Sequence, residues 1–210
     1  MKLLNYNKVL CLSPHPDDVE YGMLGSIAKF KDTSFDVVTL SAGGEFDKNG
    51  GFASEDRHVE CENIWKSLKN LNGSFLIMDY IKNISEDELI YELEKKHDLS
   101  NYDSIFVPPT IDSHQDHRKM SSISHSLVRK NKCGIMEYAT PSTLTDWIPN
   151  FFVDISEFKT FKLNNLNFFT SQKDKSYFKD NSIEIFHSNY QCSKNGLTYV
   201  EKFKIIKAFN

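Results

Sequence analysis

VLCLSPHPDD, residues 9–18, is the stretch from which the fold can be read. Val9 to Leu12 is a short, uninterrupted apolar run that stops at Ser13-Pro14, the pattern of a buried strand. From Glu20 to Phe30 the spacing turns helical, with Met23, Leu24, Ile27, Ala28 and Phe30 supplying one apolar face. Strand, tight polar loop, helix: the same alternation then recurs along most of the chain.

Phe35 to Leu40 reads as a second strand. Ser41 to Phe52 is a glycine-rich loop, long for a compact domain and therefore a candidate functional loop. Glu55 to Leu71 reads as a helix and Ser74 to Met78 as a third strand. Ser85 followed by Glu88 forms a capping box for a helix running to about Lys96. Ser104 to Val107 is a fourth strand closed by Pro108-Pro109, a helix is expected from about His117 to Arg129, and Gly134 to Tyr138 is a fifth strand. Beyond Thr140 the pattern is less regular. Phe151 to Ile155 reads as a strand, Phe158 to Phe169 as an aromatic helical segment, and Tyr199 to Phe209 as a terminal helix. Strands alternating with helices predict an α/β fold, a Rossmann-like three-layer sandwich with a mostly parallel central sheet. With no repeat and no linker, residues 1–210 are expected to form a single domain.

Bulk properties exclude several classes. A net charge of −4 leaves no basic footprint, so nucleic acid is not an expected partner. Cys11, Cys61, Cys133 and Cys192 form no CxxC pair, which argues against a thiolate zinc knuckle. Cys11 and Cys133 sit in apolar runs and are expected to be buried free thiols, in keeping with a reducing compartment. Asn5, Asn7 and Lys8 interrupt the N-terminal apolar residues, so no signal peptide is read. No run approaches the roughly 20 apolar residues of a membrane span. The expected location is cytoplasmic.

Two segments carry chemistry. Pro14-His15-Pro16-Asp17-Asp18 follows the first strand, and Asp112-Ser113-His114-Gln115-Asp116-His117 follows the fourth. In an open doubly wound sheet, ligands bind outside the carboxyl ends of the strands where strand order reverses. If strands one and four are neighbours there, the two segments face one crevice. His15, Asp18 and His117 make a two-histidine, one-carboxylate set suited to a catalytic metal with one position left for water. Pro14 and Pro16 restrict the backbone around His15. Asp17 is then a spare carboxylate beside the metal, a natural general base. His114, oriented by Asp116, suits stabilisation of an oxyanion or protonation of a leaving amine. Either segment alone reads equally well as a capped turn or a solvated loop. Their joint placement after strands of one sheet favours the metal site.

These residues are where the chain resembles the PIG-L/LmbE-like deacetylases, whose hallmarks are a PHPDD or AHPDD segment after the first strand and an HPDH-like segment after the fourth. Ser41 to Glu45, Arg57 with Glu60, Glu137-Tyr138, Pro141-Ser142-Thr143 and Tyr199 to Phe203 extend the similarity over nearly the whole chain. The resemblance implies a zinc (or ferrous) centre at His15, Asp18 and His117, with Asp17 as base and His114, held by Asp116, as its electrostatic or acid partner. It also implies substrate contacts from Arg57, Glu45 and Asp79. The implied reaction removes an acetyl group from an N-acetylated, N-acetylglucosamine-type sugar or sugar conjugate, through attack of a metal-activated water. Cleavage of a larger or non-sugar amide, and an inert metal- or sugar-binding homologue, stay open as alternatives; so does a homo-oligomeric state. Gln115 stands where the family often has proline. Gln191 to Gly196 lacks the arginine often seen before its glycine. Tyr138 is expected in the core, and His58 and His125 in structural or surface roles.

Overall fold

Five strands run parallel in the order β3-β2-β1-β4-β5: β1 is Lys8–Ser13, β2 Ser34–Thr39, β3 Leu71–Phe75, β4 Ser104–Val107 and β5 Gly134–Tyr138. This computed structural model describes residues 1–41, 54–76, 81, 84–189 and 198–209. The expected third-strand end at Ile77-Met78, most of the loop after Ser41, and Gln191 to Gly196 lie outside the described residues. Two more strands close the sheet antiparallel beyond β5. They are β6 (Phe151–Asp154) and the last strand, β8 (Thr198–Lys207), with the two-residue β7 (Ser188–Asn189) paired to β8.

Both faces of the sheet are covered, which explains why the central strands are uninterrupted apolar runs. Val9 and Cys11 point into one core cluster and Leu10 and Leu12 into the other. The first cluster packs under α1 (Asp18–Lys29), α2 (Ser54–Trp65), α5 (Lys159–Leu166) and α6 (Asp180–His187). The second packs under α3 (Glu86–Lys96) and α4 (Gln115–Leu127). The Ser85 cap is present, its side chain accepting from the Glu88 N–H at 3.1 Å. Helix α1 is buried almost all round, because it packs on β1, β5 and β8 of the sheet and against α5. Its approach to β5 is close. A Cβ at Gly22 would stand 2.8 Å from the Ala139 carbonyl oxygen, so only glycine fits there. Cys11, Cys61 and Cys133 are buried free thiols. No helix among the described residues is long and apolar enough to cross a membrane.

Three expectations are corrected. The second helix was expected to reach Leu71 but ends at Trp65, and the third strand begins at Leu71 rather than Ser74. The Asn70 side-chain amide ties the intervening turn to the carbonyls of Ile27 and Phe30, and the Trp65 ring covers Gly73, where a Cβ would clash at 1.9 Å. Tyr199 to Phe209 was expected as a helix, whereas the chain forms β8. Its apolar residues fit either period, and Glu201 disguises the alternation by facing inward. There Glu201 accepts from Lys162 Nζ at 2.5 Å and from the α1 backbone at Gly25 and Ser26, at 2.8 and 2.6 Å. Both members of that ion pair are fully buried, so each carboxylate contact offsets a desolvation cost.

His187 sits beside this pair, buried, with Nδ1–H donating to the Val200 carbonyl at 3.1 Å. Burial, reinforced by the Lys162 charge, holds its pKa well below the ordinary 6.5. A histidine kept neutral in the fold is protonated more readily in the unfolded chain. Stability is therefore lost as pH falls from about 6.5 toward the folded pKa, by up to about 1.4 kcal/mol per pH unit. His187→Leu is expected to flatten that acid limb in urea melts taken at about pH 7 and about pH 5. Equal acid slopes for the two proteins would mean that His187 is not held neutral.

Candidate active site

The chain reverses direction across the sheet between β1 and β4, and the two sequence segments lie at the carboxyl ends of these neighbouring strands. After β1, the Ser13 hydroxyl donates to the His15 carbonyl at 2.7 Å, while Ser41, just beyond β2, donates to the Pro14 carbonyl through both N–H and hydroxyl. The His15 N–H donates to Asp18 Oδ2 at 2.9 Å, folding the loop onto the first turn of α1. Asp17 adopts φ 124°, a conformation that L-residues rarely hold and that costs about 1–3 kcal/mol. Arg57 from α2 holds it there, Nη2 donating at 2.7 Å to both Asp17 Oδ2 and the Pro16 carbonyl.

The second loop is built with equal care. Glu137 on β5 accepts from the N–H and hydroxyl of Thr110 and, at 2.7 Å, from Trp147 Nε1, fixing the path after Pro108-Pro109. Asp112 Oδ1 accepts from the His114 N–H at 2.7 Å, an Asx turn that launches α4. His114 caps that helix, its Nδ1 accepting from the Asp116 N–H at 3.2 Å. The helix thus starts at Gln115, two residues earlier than expected, and His117 lies in its first turn.

Across the crevice the two loops meet at Asp18. Its Oδ2 lies 3.1 Å from His15 Nδ1 and its Oδ1 lies 3.2 Å from His117 Nε2. Ligand atoms on a tetrahedral zinc with bonds of about 2.0–2.1 Å stand roughly 3.3 Å apart, so these separations fit a shared cation. The donor set suits one also: two imidazoles and a carboxylate, nearly buried, are a usual set for a catalytic zinc or ferrous ion. The side-chain nitrogens of His15, His114 and His117 also lie within 4.8 Å of one another, so a three-imidazole set is an alternative geometry. Asp18 engages both shared histidines with both oxygens, whereas His114 is exposed and already accepts a backbone N–H.

The electrostatics follow from this packing. Burial alone would lower the His15 pKa, but hydrogen bonds to Asp116 and Asp18 outweigh it and push the value up to about 9. His117, likewise opposed by burial, is pushed up to about 10 by Asp18 and Asp112. Burial would raise the Asp18 carboxyl, yet the His117 charge and the two ring hydrogen bonds hold it well below the ordinary range. Asp17 behaves differently. Burial, opposed by Arg57, raises it to about 6. Its environment is that of a group able to take up a proton.

His15, Asp17, Asp18, Arg57, His114, Asp116 and His117 thus converge, while Glu45 and Asp79 lie outside the described residues. One expected pairing is replaced. Asp116 was expected to hold His114, but its carboxylate lies 3.1 Å from His15 Nε2, and only its backbone N–H binds His114. Asp112 was given no role, yet its Oδ2 lies 3.0 Å from His117 Nδ1 and accepts from the Thr140 hydroxyl at 2.7 Å. Its position two residues before His114 is the signal of an Asx turn that could have drawn attention to it. Tyr138 is core, its hydroxyl donating to the Leu12 carbonyl at 2.8 Å. His58 packs against Phe75, the ring centroids 4.1 Å apart and the planes tilted by 33°.

Against known proteins, the profile of the PIG-L family, described as GlcNAc-PI de-N-acetylase, matches residues 10–128. A diacetylchitobiose deacetylase from Thermococcus kodakarensis is 25% identical over 189 residues, which cover 79% of this chain and 70% of that protein. The structure of the N,N'-diacetylchitobiose deacetylase from Pyrococcus horikoshii superposes with TM-score 0.73 at 24% identity, covering 97% of this chain and 85% of that one. A 4-carboxy-2-hydroxymuconate hydratase from Pseudomonas putida superposes with TM-score 0.75 at 14% identity, covering 100% and 98%. Likeness at such identities speaks for the fold alone, and a hydratase on the same scaffold shows that the fold does not choose the chemistry.

Proposed function

Because the chain belongs to the PIG-L family, the GlcNAc-PI de-N-acetylases, we propose that it is a metal-dependent hydrolase that removes the acetyl group from an N-acetylated sugar or sugar conjugate. The observation that carries this reading is the buried Asp17 carboxylate, set beside the His15–Asp18–His117 cluster and outside its ring contacts. Residues 1–210 act in it as one catalytic domain.

In this reading His15, Asp18 and His117 hold the metal, with zinc the first choice and ferrous iron compatible with the same set. A bound dication supplies Lewis acidity, polarising the acetyl carbonyl and lowering the pKa of water to about 7. Asp17 takes the proton from the attacking water as the new C–O bond forms at the carbonyl carbon. His114, exposed and with its ring centroid 4.6 Å from that of His15, is assigned to the charge that develops on the carbonyl oxygen. When the C–N bond breaks, the proton held by Asp17 passes to the departing nitrogen, and acetate and a free amine result. Arg57 keeps Asp17 aimed by pairing with it, and Arg57, Glu45 and Asp79 are assigned to the sugar by family likeness.

The test is metal analysis of the purified protein, then mass spectrometry after incubation with N-acetylglucosamine and N,N'-diacetylchitobiose. The expected result is about one metal per chain and loss of one acetyl group from at least one sugar. A metal-loaded protein that cleaves only longer N-acyl amides would overturn the acetyl-sugar assignment; one that cleaves no amide would overturn the hydrolase.

A further inference from the structure

Each imidazole of the cluster lies between two carboxylates. His15 has Asp18 on Nδ1 and Asp116 on Nε2, both at 3.1 Å. His117 has Asp18 on Nε2 at 3.2 Å and Asp112 on Nδ1 at 3.0 Å. The inner carboxylate, Asp18, is shared by the two rings. The outer ones differ, and both come from the second loop.

We propose that Asp112 and Asp116 are positioning residues that fix the tautomers of the two metal-binding histidines, so that His15 binds through Nδ1 and His117 through Nε2. The proposal rests on the metal centre of the preceding section and adds which nitrogen of each ring faces the cation and what holds it there. An ionised carboxylate can only accept, so the ring nitrogen facing Asp112 or Asp116 carries the hydrogen. The opposite nitrogen is then left with its lone pair toward Asp18 and the cation.

The surroundings support each assignment separately. Asp112 is almost fully buried, and its two oxygens are already committed: Oδ1 accepts the His114 N–H, while Oδ2 accepts the Thr140 hydroxyl beside the His117 contact. It cannot swing away without orphaning those donors. Asp116 stands in the first turn of α4 and reaches His15 across the crevice, 101 positions along the chain. Its contact is therefore also a link between the loops, so His15 is oriented by the segment that supplies His117. The use of opposite ring nitrogens has a local cause. His15 is three residues before Asp18, and its backbone N–H already binds Asp18 Oδ2, which brings Nδ1, the nearer ring nitrogen, to that oxygen. His117 arrives from another element and presents its outer nitrogen, Nε2.

The experiment uses zinc-loaded, ¹⁵N-labelled protein, with the ring nitrogens read by long-range ¹H–¹⁵N correlation. Zinc affinity of the wild type, Asp112→Asn, Asp116→Asn and His114→Ala is measured in parallel by competition with a chromophoric chelator. The expected spectrum shows His15 protonated on Nε2 and His117 protonated on Nδ1. Each aspartate variant is expected to weaken zinc binding about 10–100-fold, while His114→Ala leaves it within a few-fold. Coordination of His15 through Nε2, or Asp116→Asn with unaltered affinity, would overturn the proposal even if the wild type binds zinc. A wild type that binds no zinc at all would instead defeat the metal centre itself. The spectrum needs no variant, so a poorly folded substitution does not remove the test.

Discussion

Asp17→Asn is expected to leave the metal content unchanged and to lower turnover on the acetylated sugar by about 10²–10⁴-fold, the usual contribution of a positioned general base. The substitution is chosen to disturb little else. Asparagine is the nearest replacement in shape, and its side-chain oxygen can still accept from Arg57. What it cannot do is take up a proton. Asp17 makes none of the ring contacts that join His15, Asp18 and His117, so nothing in the cluster is lost. Metal analysis and steady-state kinetics on the same preparation separate the two roles. Near-normal turnover with full metal would remove Asp17 from the chemistry. Loss of the metal would show that it belongs among the ligands.

The parts of the fold that could be read directly are those where one physical requirement acts alone. β1 and β4 are buried on both faces, and they stand out as apolar runs ended by Ser-Pro and Pro-Pro. β8 was hidden because two requirements compete within it. Tyr199 and Phe203 serve the core, while Glu201 turns inward to meet Lys162, and a buried charge paired across 39 residues leaves no local mark. The end of α2 was lost for a related reason. Leu71 continues the helical period from Ile64, but it belongs to a strand laid next to Phe35 of β2, a contact the spacing cannot reveal.

The site divides along the same line. Residue type and motif spacing pointed to His15, Asp18 and His117, since ligand chemistry is a property of the side chains themselves. Partnership is not. Asp116 lies one residue from His117 and two from His114, and reading along the chain assigned it to a neighbour, whereas in space it faces His15. Arg57 shows the same effect: nothing along the chain told that it clamps Asp17 from another helix.

The third metal ligand is the point at which two geometries still compete, and Asp18 decides between them. Asp18→Asn is expected to abolish metal binding at micromolar metal, an affinity loss well beyond the roughly 100-fold attributed to orienting residues, and with it all turnover above background. A neutral amide keeps an oxygen for the His15 N–H, so the bond at 2.9 Å that folds the loop persists and the chain stays intact. Asp18→Ala removes that bond as well, and is expected to melt at lower denaturant by about 1 kcal/mol more than the asparagine variant. The two variants should therefore differ in stability and agree in having no metal. The three-imidazole arrangement of His15, His114 and His117 makes the opposite forecast. In that case Asp18→Asn would retain the metal, because the carboxylate would serve only to orient the rings, and His114→Ala would release it. Chelator competition on these variants distinguishes the cases. Both oxygens of Asp18 face ring nitrogens at 3.1 and 3.2 Å, near tetrahedral spacing, whereas His114 is tied through Nδ1 to the start of its own helix. That asymmetry is the reason to expect that the carboxylate, rather than the third imidazole, completes the set.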